Sequence, residues 1–113
     1  MLKKSNRIGR NKDFDRAFKF GQSFYDKILG IKVTENDLSV SRLGILVSTK
    51  VSKKAVARNL IKRRIRAIVK NEWSNLKDGK DLVIITLPSI LDKSFEEIQK
   101  TVQKAFKKLN LYK

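Results

Sequence analysis

The stretch RLGILVSTKVSKKAVARNLIKRRIRAIVKNEW, residues 42–73, followed by DLVIITL at residues 81–87, decides the fold. Leu43–Ser48 is mostly apolar and predicts a buried strand. A long helix is predicted from about Lys54 to Glu72, with Ser52 a candidate cap. At about 100° per residue, Ala57, Ile61, Ile65 and Ile68 share one arc of that helix. Asn75–Lys80, carrying Asp78-Gly79, reads as a turn, and Leu82–Leu87 as a second buried strand ended by Pro88. Strand, long helix, strand predicts a βαβ crossover between two parallel strands.

Working outward, Asn11 is the candidate cap of a first helix, with Asp13 in its first turn near the positive dipole end. Phe14, Ala17 and Phe18 recur at helical spacing, and Gly21 is a stop. A strand is predicted around Ile28–Val33, with Phe24 and Tyr25 at its approach and room for a further strand within Gln22–Val33. Gly30 inside it marks a bulge or a close backbone approach. Thr34–Ser41, with Glu35-Asn36-Asp37, reads as a loop. Beyond Pro88, Ser94 and Glu97 match a capping box. Phe95, Ile98, Val102, Ala105, Phe106 and Leu109 give the apolar stripe of a last helix. The order is α-β-β-α-β-α, an α+β pattern in one domain spanning 1–113.

The chain has 113 residues, 27 of them Lys or Arg and 11 Asp or Glu, for a net charge of +16. It contains no His and no Cys. Disulfides, thiolate metal sites and the Ser-His-Asp and Cys-His catalytic arrangements are excluded. No apolar run approaches the roughly 20 residues of a membrane span. The basic start Met1–Arg7 leads into polar sequence rather than a signal-peptide core, so a cytoplasmic, reducing compartment is expected.

The charge is concentrated. Leu38 to Asn71 holds ten basic residues and no acidic one, so +10 of the +16 lies in 34 residues. A merely solvated face would mix signs, whereas a single-sign run fits a polyanion. On the long helix, Asn59, Lys62, Arg63, Arg66 and Lys70 occupy an arc of their own, with Arg58 at the border. Arg offers phosphate a planar bidentate donor set, and Lys a point charge. This helix reads as a phosphate-binding face; nothing in it separates RNA from DNA. Val56, Leu60 and Ala67 form a second small apolar patch, either packed on a neighbouring segment or touching the ligand.

Arg58-Asn59-Leu60-Ile61-Lys62-Arg63-Arg64-Ile65-Arg66, preceded by Ala55-Val56, resembles the Arg-Asn-rich helix of the protein subunit of bacterial ribonuclease P. Arg7-Ile8, Asp13-Phe14, Phe18 and Gly21 resemble that family's N-terminal segment. Arg42-Leu43-Gly44 with Val47-Ser48 resembles the strand before its basic helix. The resemblance covers nearly the whole chain. It implies a four-stranded sheet with three helices and a left-handed crossover, against the usual hand. It further implies a subunit of an endoribonuclease that matures the 5′ end of tRNA. Catalysis would reside in the RNA subunit with Mg²⁺, and no catalytic residue or metal ligand is expected in this chain. The paired acids Asp13/Asp15 and Glu35/Asp37 read as cap or loop residues.

Two surfaces follow from the resemblance. Lys50, Lys53, Lys54, Arg58, Asn59, Lys62, Arg63, Arg66 and Lys70 would face the catalytic RNA. Phe14, Phe18, Lys32 and Ser48 would line a cleft for the single-stranded leader of precursor tRNA. Spacing alone favours Phe14 and Phe18 as an i,i+4 pair packed in the core, and the resemblance sets the cleft reading beside it. Three departures stand out. Leu60 replaces a second Arg, the loop Ser48–Lys54 is one residue longer and lacks a Gly, and Lys32 occupies a cleft aromatic position. Precursor tRNA and the catalytic RNA are the expected partners, with no membrane and no obligate protein partner. A ribosomal or other structural RNA-binding protein would share the composition but need no leader cleft.

Overall fold

The computed structural model describes residues 3–113. Met1 and Leu2, part of the basic start, lie outside the described residues. After a short 3₁₀ turn come α1 (Asn11–Phe20), β1 (Gln22–Tyr25), β2 (Leu29–Glu35), β3 (Arg42–Leu46), α2 (Ala55–Glu72), β4 (Lys80–Thr86) and α3 (Phe95–Lys108). The sheet order is β1-β2-β4-β3. β1 and β2 form a hairpin, β2 runs antiparallel to β4, and β3 runs parallel to β4. The βαβ crossover expected from residues 42–87 is therefore present. No helix among the described residues is long and apolar enough to cross a membrane.

Alternation along each strand splits the sheet into two faces. Leu29, Ile31, Leu43, Leu82 and Ile84 pack with Ile61, Ile65, Ile68 and Val69 of α2 and Ile98, Val102 and Phe106 of α3. On the other face Val83 packs with Ala17 of α1 and Ile8, with Phe14, Leu46 and Ile85 beside them. α1 crosses this second face, from Phe14 over Gly44 to Gly21 beside the Val33 carbonyl.

Two hydrogen bonds give the hand of the crossover. Seen from the α2 face, with β3 and β4 running upward, Leu43 points at the viewer. In a strand of L-residues such a residue turns its own N–H and C=O to the right. The Leu43 carbonyl accepts from Ile8 N–H at 3.0 Å, so the N-terminal segment lies to the right of β3 and β4 to the left. Leu87, on the opposite alternation, donates leftward to Ile28. The chain moves left through a helix in front of the sheet, which is a left-handed crossover.

Several local expectations change. α1 begins at Asn11 with Arg10 in the capping position and no side-chain cap, because the Arg10 carbonyl already accepts from the N–H groups of Asp13 and Phe14. Ser52 does not cap α2; its hydroxyl accepts from Lys54 N–H and its carbonyl from the Arg58 guanidinium, which shapes the preceding loop. Thr34 and Glu35 belong to β2, opposite Asp81 and Lys80, rather than to a loop. Gly30 holds no bulge, since its register is continuous on both sides. Ser94 and Glu97 form the expected reciprocal cap of α3.

Candidate nucleic-acid interface

The apolar arc of α2 buries Ile61, Ile65 and Ile68, and this fixes where the rest of the helix points. Asn59, Arg63 and Lys70 are exposed, while Arg58, Lys62 and Arg66 are half-buried with their stems along the surface. No ion pair engages any of these cations among the described residues. A groove of about 430 Å³ runs between Val56, Asn59, Lys62, Arg63 and Arg66. A second hollow lies between Arg63, Arg66, Ala67 and Lys70. Lys50, Lys53 and Lys54 stand exposed on the loop leading into α2.

The apolar patch on α2 is open to solvent. Val56 is 79% and Leu60 39% exposed, and Ala67 is also exposed.

The acid-free run is not uniformly a surface. Arg42 is only 14% exposed and points inward under α1. Its Nε and Nη2 donate to the two Asp81 carboxylate oxygens at 2.9 and 2.6 Å, and its Nη1 donates to Asp13 at 3.4 Å. Arg10 closes the group by donating to Asp13 at 3.2 Å. Burial pushes Asp13 up, but hydrogen bonds and charge from Arg10 and Arg42 outweigh it and hold its carboxyl below the ordinary value. The same carboxylates raise Arg42. Asp13 is thus engaged by two arginines, and Glu35 by Lys80 at 2.7 Å. Among the described residues no three His, Cys, Asp or Glu side chains gather as a metal-ligand set.

Between α1 and the sheet the cross-strand register lays out a floor in rows. Arg42 and Asp81 form the row under the start of α1. The next row is Lys32, Val83 and Gly44. Beyond it lie Tyr25, Gly30, Ile85 and Leu46, with Ile85 and Leu46 half-buried and Tyr25 exposed. Two glycines seat aromatic rings here. A Cβ at Gly44 would meet the Phe14 ring, and one at Gly30 would meet the Tyr25 ring. The Lys32 ammonium lies 5.9 Å from the Tyr25 ring centroid, a cation–π distance.

Phe14 is half-buried and Phe18 is 41% exposed, so the pair is neither fully core nor fully free. A hollow of about 170 Å³ at β3 is lined by Phe14, Arg7, Ile8, Gly44, Lys62 and Arg66. It brings Phe14 of the cleft together with two cations of α2. Lys32 lies on the α1 side of the sheet, as the cleft reading needs. Ser48 is exposed beyond the end of β3, its hydroxyl accepting from Lys50 N–H at 3.2 Å. Tyr25 was missing from the expected cleft residues. Its signal was the glycine opposite it across a hairpin, legible only once the register is known.

The family model described as Ribonuclease P matches residues 2–110. The chain belongs to the ribonuclease P protein family. The "Ribonuclease P protein component" of Clostridium botulinum (strain 657 / Type Ba4) is 36% identical over 110 residues, covering 96% of this chain and 98% of that protein. The component of the same name from Bacillus velezensis is 39% identical over 113 residues, covering 99% and 96%. Among solved structures, the RNase P protein of Staphylococcus aureus superposes with a TM-score of 0.89 at 32% identity, covering 97% of this chain and all of that one. The RNase P protein of Thermotoga maritima gives 0.78 at 27% identity, covering 87% and 92%. Members of this family are protein components of ribonuclease P, a tRNA-processing ribonucleoprotein.

Proposed function

We propose that this chain binds the catalytic RNA of ribonuclease P through α2 and the loop before it, and holds the 5′ leader of precursor tRNA in the cleft between α1 and the sheet. The observation that carries this is the hollow at β3, where Phe14 meets Lys62 and Arg66. An aromatic wall that runs into a phosphate-binding helix suits a junction between an unpaired strand and a folded RNA.

The roles follow from the chemistry. Arg63 and Arg66 donate in-plane pairs of N–H groups to phosphate, while Lys62, Lys70 and the lysines of the loop supply point charge. Asn59 contributes an amide that both donates and accepts. In the cleft, Phe14, Phe18 and Tyr25 offer ring faces to unstacked bases, and Lys32 offers charge to the intervening phosphate. Such stacking is indifferent to base identity, as a subunit serving many leader sequences requires. The bond-breaking step belongs to the RNA subunit and its Mg²⁺. The protein raises the local concentration of substrate and lowers the Mg²⁺ needed by neutralising phosphate.

The test is reconstitution with a ribonuclease P RNA, using substrates with and without a leader. The expected result is cleavage at lower Mg²⁺ when the protein is added, with tighter binding of the leader-bearing substrate. Cleavage by the protein after removal of all RNA would overturn the assignment of chemistry. Equal binding of both substrates would remove the leader cleft.

A further inference from the structure

A further groove lies outside both surfaces above. It has a volume of about 470 Å³ and is lined by Arg16, Phe20, Gln22, Thr34, Lys77 and Asn110, and by the paired Lys80 and Glu35. Its place follows from the winding of α1. At about 100° per residue, with Ala17 facing the sheet, Phe14 and Phe18 lie some 60–100° to one side. Arg16 and Phe20 lie about as far to the other. α1 is therefore a ridge between two grooves, the cleft on one flank and this cavity on the other.

The chemistry of the second groove resembles that of the first. Phe20 is 76% exposed, a ring held in water at the last turn of the helix. No ion pair engages Arg16 or Lys77 among the described residues, whereas Lys80 is held by Glu35. Gln22, Thr34 and Asn110 add neutral donors and acceptors. The volume falls in the range of small-ligand sites. An aromatic face beside cations and amides is the combination that receives a single unstacked base with its phosphate. A duplex would leave the ring without a base to stack on.

We propose that this groove binds one unpaired nucleotide of single-stranded RNA, its base on Phe20 and its phosphate between Arg16 and Lys77. The choice of ligand rests on the RNA-binding reading given above; the site itself is separate from the leader cleft.

The test is titration of the full chain with pentauridylate while backbone amide resonances are followed. Gln22, Thr34 and Asn110 are expected to move, and Leu46 and Ile85 to report the cleft independently. Phe20→Ala should weaken the first set about tenfold, near the low end for one stacked base, and leave the second unchanged. Arg16→Ala should weaken the first set as well. Both side chains are exposed, so an unchanged thermal midpoint checks that each variant keeps its fold. Inorganic phosphate is the control. If it moves Gln22, Thr34 and Asn110 as fully as the oligonucleotide does, or if Phe20→Ala has no effect, the nucleotide site is overturned. No movement of these amides at saturation overturns it too. Movement here with none at Leu46 and Ile85 would uphold this site and count against the leader cleft.

Discussion

Arg42 and Arg66 come from one acid-free run of sequence and meet opposite fates. Arg42 is enclosed between α1 and the sheet by Asp13 and Asp81. Arg66 lies on α2 with no carboxylate partner among the described residues. The α1 side of the sheet uses its cation to hold the fold, and α2 leaves its cations without carboxylate partners among the described residues. Charge counted along a sequence cannot separate these uses. The acids that neutralise Arg42 lie 29 and 39 residues away.

The strongest way to break this contrast is Arg42→Met. It leaves buried Asp81 with only the Asn36 amide and Asp13 with only Arg10, and should cost about 3 kcal/mol of folding stability. Urea unfolding measures this, and the salt dependence of RNA binding by the folded variant should stay unchanged. A stability loss under about 1 kcal/mol would mean that Arg42 is a surface cation after all. The pH dependence carries a sign. Asp13 is held below its ordinary value, so its contribution is present above about pH 4 and is lost as pH falls through the depressed value. Arg42→Met should flatten that part of the acid-unfolding profile.

Phe18→Ala sharpens the α1 side. Precursor tRNA should bind about tenfold more weakly to the holoenzyme, within the range of one stacked base, while mature tRNA binding is unchanged. Equal losses for both would make Phe18 a packing residue. Arg66→Ala gives the smallest expected effect. It should weaken RNA binding modestly and make the slope of log affinity against log salt shallower by about one phosphate contact, or roughly 0.7–0.9. An unchanged slope would remove Arg66 from the phosphate contacts.

Much of the fold was legible from residues 42–87, because a buried strand, an amphipathic helix and another buried strand leave few ways to pack. The capping box at Ser94 was legible because it is a local exchange of hydrogen bonds. The start of α1 and the end of β2 were not, since neither depends on local sequence alone. β2 runs through Glu35 because Lys80 pairs with it from 45 residues away. The unpaired cationic face of α2 could be read from helical spacing and the absence of acids. The cleft could not, because its floor is assembled from three strands whose register no local pattern states. Tyr25 joins this floor because Gly30, its cross-strand partner, lies beneath its ring. The hand of the crossover came from resemblance, and the strand hydrogen bonds give it independently.

One further consequence concerns the segment before α1. Arg7 and Leu43 form a parallel bridge, and the Leu43 carbonyl accepts from Ile8. β3 would otherwise end the sheet with a row of open backbone donors and acceptors, which is a template for strand addition by another chain. The opposite margin, β1, is only four residues long and opens with Gln22 and Ser23. A short strap on one side and a four-residue strand on the other leave little open edge for strand addition. That matters for a protein whose like charges repel in solution but are drawn together wherever an RNA neutralises them.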